Sequence, residues 1–532
     1  MLDILIKNGK IIDGSGKPWF FGDIGIKSKC IVDIGNLDVD AEVVINANKK
    51  CVCPGFIDVH SHSDLMVLKK AGRDIKIRQG VTSEVVGNCG FSPAPTLDVN
   101  ISGLINFIEP IIGNNREKTV WKTTGEYINE LKSSDLPNNI GVLMGNGALR
   151  IGVKGFEKSV VTADEFKQIE YFIEEGLDAG ALGLSLGLMY APENFYKTDE
   201  LISICKILNK YSAILTSHIR GEGNSLIPSI KEVLTIAEKT DIPLEISHIK
   251  AAGKSNWGNV DVVMDMIERA RDRGVQVTCD IYPYTAGSST LASLFPPGIL
   301  EGGFHKAAER LKDSNIRSLV LKELSEEQDT WDNLVCSTGW DSVYISSVFK
   351  DDNKFYIGHS ILELAQNYGI DPAQFALNLY IKDEGQTGII FFHMSDSDVE
   401  KLIKWEYTMI ASDSIYKTKG KPHPRLYGTF PRVFSHYVRE KKILSLEEAV
   451  RKATSFPAEK FKLNKRGLIK IGYTADIAIF DPDSIYDMAT YDEPEQYPAG
   501  IEYVLLGGKI VYRYDKALPT DSRWGEVLVR NY

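Results

Sequence analysis

Residues 1 to about 54 alternate apolar and polar positions between glycine turns: Ile4 and Ile6, an Asn8-Gly9 pair, then Ile11, Ile24, Ile26, Ile31 and Ile34. A period of two marks half-buried strands, and Asn-Gly is a hairpin signal. The other end of the chain behaves alike: 475–480 and 503–512 are strand-like, the latter broken by Gly507-Gly508. Two all-β ends around a different middle predict one small β-domain built from both termini, residues 1–54 and 466–532.

Between them, short apolar runs are followed by stretches with apolar residues at helical spacing, the signature of βα units and a parallel sheet. Thr162-Ala163-Asp164-Glu165 is a capping box ahead of Phe166, Ile169, Phe172 and Ile173, and Ser445-Leu446-Glu447-Glu448 opens a late helix. Eight runs can serve as barrel strands: 56–59, 81–86, 140–144, 181–186, 213–216, 244–247, 275–281 and 407–411. The interval between the last two is too long for one crossover. An insertion over about 290–352 is expected, where Pro296-Pro297 leads into charged helical text; 343–347, 355–357 and 389–392 are strand-like too. The barrel then occupies 55–465.

Composition removes several functions. The chain has 532 residues, 43% hydrophobic and 25% charged, enough for a large core. A net charge of −11 without a basic stripe argues against nucleic acid or an anionic membrane as partner. No apolar run approaches the roughly 20 residues of a membrane span, and the first residues do not read as a signal peptide. Seven scattered cysteines do not make a disulfide framework, so a cytoplasmic location is expected.

The residues that follow the runs change the picture. The first run ends at His60 and His62, one residue apart, which places both imidazoles on the same side of an extended strand. The second ends at Cys89, the fifth at His218, the sixth at His248 and the eighth at Asp413. In a β/α barrel the strand C-termini meet on one face, where catalytic groups sit. Taken singly, Cys89 reads as a small buried hydrophobe, His218 and His248 as core histidines, and Asp413 as a helix cap. Five strand ends all carrying N, S or O donors are not explained that way. A thiolate with two imidazoles is a borderline-soft tetrahedral set that selects zinc, with a fourth position open for catalysis. Cys51 and Cys53 precede the first run, at the wrong end of the strand, and read as structural. His305, His359, His393, His423 and His436 lack the strand-end context and are left unassigned.

At this point the sequence resembles the N-acyl-D-amino-acid deacylases (D-aminoacylases) of the amidohydrolase superfamily. The matching segments are PGFIDVHSHSD, GNCGFSPAP, GALGLSLGLMYAP, TSHIRGEG, EISHIK, DIYPYTAGSST, ASDS and HPRLYGTFPRV, spread from about 54 to 435. The resemblance implies a distorted (β/α)8 TIM-type barrel, a small β-rich domain from both termini, and an inserted segment near the active site. It assigns a tightly held zinc to Cys89, His218 and His248, a second, weaker metal position to His60 and His62, and the catalytic acid/base role to Asp413. Lys250, Tyr282 and Ser288 fall where the family contacts substrate, and Arg425 lies in the matching His-Pro-Arg segment. Two residues depart from the pattern: Asn146 and Ile249 stand where family members commonly carry histidine.

The expected activity is zinc-dependent hydrolysis of the amide bond of a small N-acyl-D-amino acid, with Lys250 or Arg425 holding its carboxylate. A cyclic amidase or dipeptidase on the same scaffold, and a non-catalytic interaction scaffold, are the competing expectations. The cysteine leans against the first, and the retention of all six metal-capable side chains against the last.

Overall fold

The computed structural model describes residues 1–530 apart from 114–118, 329, 417–418 and 516–523. Eight parallel strands follow one another around a barrel: Phe56–Asp58, Val81–Val86, Asn139–Gly145, Gly183–Gly187, Ile214–His218, Leu244–Ile246, Val277–Ile281 and Thr408–Ile410. Each lies on a run the sequence marks, with ends shifted by a few residues. Strand residues are buried almost throughout, as a sheet covered on both faces requires. The first and last strands meet through backbone bonds just past their ends: Asp413 N–H donates to His60 O (2.8 Å) and His62 N–H to Ser414 O (3.0 Å). Lower down, the buried Asp58 carboxylate accepts from Ser412 N (2.9 Å) and pairs with Lys76 Nζ (2.5 Å), which also donates to Ser412 Oγ (2.7 Å), so Ser412 and Lys76 tie the end of the last strand to the first.

The anticipated caps form. Thr162 and Glu165 exchange hydrogen bonds at the start of the helix Ala163–Ala179, and the Ser445 hydroxyl accepts from Glu448 N at the start of Leu446–Ala453.

An eight-stranded sheet gathers both ends of the chain. Cys51–Pro54 pairs in parallel with Leu2–Ile11 on one side and antiparallel with Ile477–Phe480 on the other. Its core is aliphatic, with Ile6, Ile24, Ile26, Ile477, Ile479 and Leu505 fully buried. The sequence assigned everything from 466 onward to this sheet, but the last described residues leave it. Val527–Leu528 pairs with Ile140 and Gly141 at the foot of the third barrel strand, whose pairing to the fourth begins only at Leu143. The barrel is split at that foot and the C-terminal strand fills the gap, one physical source of its distortion.

The excursion between the seventh and eighth strands is also longer than 290–352. It contains a three-stranded antiparallel sheet, Ala286–Thr290, Gly388–Phe392 and Val343–Ser347 in the order first, second, third, with its own apolar core. Residues 355–357, strand-like in sequence, instead lie at the end of the 3-10 turn Asp351–Tyr356. No described helix is long and apolar enough to cross a membrane.

Candidate metal centre and active site

Strand geometry explains how the donors meet. His60 and His62 follow the first strand on the same side, as alternation requires. Three other strand ends break alternation. Cys89, His248 and Asp413 adopt φ of +53°, +34° and +47°, left-handed values that non-glycine residues seldom take. Each turn re-aims a side chain from the wall toward the barrel axis, and such strain persists only where surrounding structure over-determines it. Gly187 shows how tight the packing is: a Cβ there would lie 2.0 Å from Cys89 O.

The result is a chain of close donors. His60 Nε2 lies 3.2 Å and His248 Nε2 3.4 Å from Cys89 Sγ. Asp413 Oδ1 accepts from His62 Nε2 at 3.2 Å and lies 3.5 Å from His60 Nε2. His218 packs edge-on against His248 with ring centres 4.4 Å apart, its Nε2 3.3 Å from the Met189 sulfur. Three overlapping sets of metal-capable atoms result: His60, Cys89 and His248; His60, His62 and Asp413; and His218, Glu222 and His248. His218 therefore joins the centre through His248 and Glu222, whereas Cys89 sits between His60 and His248.

Two residues of this centre escaped the sequence reading. Asp280 Oδ2 accepts from His60 Nδ1 (3.0 Å) and Oδ1 from the His248 backbone N–H (2.8 Å). It fixes the tautomer that leaves His60 Nε2 free to ligate. An acidic residue inside the apolar run 277–281 was the available signal. Glu222 Oε1 lies 3.2 Å from His248 Nδ1 and 2.5 Å from Lys250 Nζ. It comes from the loop after the fifth strand and carries no local signature.

The electrostatics follow. Burial would raise the Cys89 thiol, but the charges of His60 and His248 and hydrogen bonds from His218 and His248 outweigh it and hold Cys89 well below the usual thiol range. Burial opposes ionisation of Asp413 too. Arg425, His60 and His248, with the His62 hydrogen bond, prevail and keep its carboxyl well below the ordinary value. A buried thiolate and a buried carboxylate among four imidazoles form a set whose charge and softness suit zinc.

A cavity opens onto these atoms. Lys250, Tyr282 and Ser288 line it, together with His62, Cys89, His218, His248 and Asp413. Arg425 stands behind that lining. It is fully buried, Nη2 is 2.9 Å from Asp413 Oδ2, and its guanidinium lies 4.5 Å above the Tyr282 ring. Its Nε, Nη1 and Nη2 make no aligned hydrogen bond, and the Ser288 hydroxyl has none either. Neither Asn146 nor Ile249 belongs to the cavity lining. Asn146 Nδ2 donates to Glu193 (2.8 Å), and Ile249 packs in the barrel core. His393, unassigned in sequence, does line the cavity. It follows the strand Gly388–Phe392 of the insertion's antiparallel sheet, whose end the barrel rule does not place at the metal face.

An eight-stranded β/α barrel with histidines, a cysteine and an aspartate at its strand ends defines a hydrolase of the amidohydrolase class. The Amidohydrolase family profile matches residues 408–512. The chain is 34% identical to N-acyl-D-glutamate deacylase of Alcaligenes xylosoxydans xylosoxydans, over 100% of this chain and 97% of that one. It is 31% identical to the D-aminoacylase of the same organism, over 99% and 98%. A crystal structure of N-acyl-D-glutamate deacylase from Bordetella bronchiseptica, complexed with zinc and a phosphonate mimic of the tetrahedral intermediate, superposes with a TM-score of 0.84 at 32% identity, over 99% of this chain and 100% of that one. The chain belongs to the D-aminoacylase family of amidohydrolases.

Proposed function

We propose that the protein is a zinc-dependent deacylase that hydrolyses N-acyl-D-amino acids to a carboxylate and a free D-amino acid. The observation that carries this reading is the meeting, at one cavity, of a thiolate-centred donor set and an ionised aspartate, with the Arg425 guanidinium buried directly behind that aspartate. The substrates named for its relatives support the choice of D-amino acids.

In this reading Cys89, His218 and His248 would hold the tight zinc, and His60 and His62 would form a second, weaker position. A zinc ion bound there would supply water of lowered pKa and polarise the scissile carbonyl. Asp413 faces the same donors, is ionised, and lies beside the cavity. It takes the proton of the attacking water and returns it to the amide nitrogen, which would otherwise leave as a poor anion. Arg425, Tyr282, Ser288 and Lys250 receive the substrate carboxylate. The planar guanidinium suits a carboxylate grip, and burial keeps Tyr282 a protonated donor by pushing its phenol up. None of the seven cysteines is paired in a disulfide, which supports a cytoplasmic location.

The test is a panel of N-acetyl amino acids of both configurations, given to zinc-loaded protein and assayed for free amine. Release from D-substrates alone is expected. Turnover of only L-substrates, or of cyclic amides, would overturn the assignment.

A further inference from the structure

His393 is set apart from the metal centre and the mechanism makes no use of it. Its backbone carbonyl is fixed by two donors from the loop after the sixth strand, Gly253 N–H (2.9 Å) and Trp257 Nε1–H (3.1 Å). The ring is 5% exposed and faces the cavity beside Lys250 and Tyr282. Nδ1 lies 2.7 Å from Phe391 O, and a carbonyl can only accept, so Nδ1 carries the proton. Nε2 is therefore a bare lone pair. It is buried and has no partner. Burial and the Lys250 ammonium push the ring down to about 4, so it stays neutral at working pH. Gly287 leaves the space in front of it open. A Cβ at that position would lie 2.8 Å from His393 Cε1 and 3.3 Å from Tyr282 Oη.

A buried acceptor without a donor is costly, and a ligand that supplies the donor gains what the empty site lacks. We propose that His393 Nε2 receives a hydrogen bond from the substrate side chain, and that the enzyme prefers N-acyl-D-amino acids with a neutral donor there, a carboxamide above all. This rests on the deacylase reading and narrows it. An acidic side chain would set oxygen lone pairs against a nitrogen lone pair. Lys250, the lysine of the cavity lining, is paired with Glu222 at 2.5 Å and in this reading meets the α-carboxylate, so it does not serve the side chain. The preference would depart from the N-acyl-D-glutamate deacylase to which the chain is similar.

Glutamine and glutamate are nearly isosteric and differ in the group that meets His393. With zinc-loaded enzyme, kcat/KM for N-acetyl-D-glutamine should exceed that for N-acetyl-D-glutamate by about ten- to a hundredfold, the worth of one such bond kept or lost. In His393→Met the ratio of D-glutamine to D-leucine turnover should fall about tenfold. His393→Gln, whose side-chain oxygen can accept, should retain more of that ratio. Equal or better turnover of D-glutamate by the wild type would overturn the inference and leave the deacylase reading intact, as would an unchanged glutamine-to-leucine ratio in His393→Met. No turnover of any N-acyl-D-amino acid would overturn both. If the Met variant fails to fold, the wild-type comparison decides alone.

Discussion

Replacing Asp413 with Asn is the sharpest perturbation of the proposed mechanism, because it keeps shape and removes only the titratable group. The backbone at 413 has φ of +47°, a conformation Asn tolerates and Ala does not favour, so Asn avoids added strain. Two losses follow from the contacts. The proton acceptor disappears, which costs about 10²- to 10⁴-fold in kcat where general acid–base catalysis operates. The Arg425 guanidinium, fully buried and 2.9 Å from Asp413, also loses its counter-charge. Breaking a buried pair from one side costs about 3–5 kcal/mol. The contact of Arg425 with Tyr282 is present with or without the aspartate and offsets nothing, so a loss of about 3–5 kcal/mol is expected. The two losses separate in the double variant Asp413→Asn with Arg425→Met. Stability should partly return, since no buried charge is left unpaired, while kcat stays low. The assay is steady-state amine release alongside zinc content and thermal unfolding for each variant. An aspartate that merely caps a turn would cost about 1 kcal/mol and leave kcat alone. Near-normal kcat in folded, zinc-loaded Asp413→Asn would refute the mechanism.

Elemental analysis after dialysis should find about one zinc per chain, and Cys89→Ser should lose most of it; full occupancy in that variant would make Cys89 a packing residue. His60→Ala should keep the tight zinc, and a metal-free His60→Ala protein would move His60, whose Nε2 is 3.2 Å from Cys89 Sγ, into the tight set. Lys250→Met and Arg425→Met should mainly lower kcat/KM for free-carboxylate substrates, and an equal loss on their amides would assign those residues to the fold or the metal. Burial raises the Glu193 carboxyl from 4.5 to about 7, against the hydrogen bond from Asn146. Between those values the folded protein binds the extra proton, so stability falls as pH rises through this window and levels off above about 7. Glu193→Gln should therefore gain stability relative to wild type between acid and alkaline pH, by up to about 3 kcal/mol, and a pH-independent difference in unfolding would show that Glu193 does not titrate there.

Cys89 and Asp413 show what lay in the sequence. Both stand at the C-terminal end of an apolar run, as do His60, His62, His218 and His248, and a strand is a local object whose periodicity can be read from about six residues. The barrel topology then fixes which face those ends share, so these six candidates could be named without coordinates. The turn at Thr162 was legible for the same reason, since a capping box closes within four residues. Asp280, Glu222 and His393 depended on tertiary structure. They act through space, across a crossover or across the insertion, and nothing within their own neighbourhoods names His60, His248 or the cavity as a partner. Arg425 was visible as a candidate, but its pairing with Asp413 was not: the two are separated by a turn and a helix start, and only folding buries both charges together. The return of Val527–Leu528 to the third barrel strand is a similar case. A two-residue strand has no period to read, and its place follows from the gap the barrel leaves at its foot.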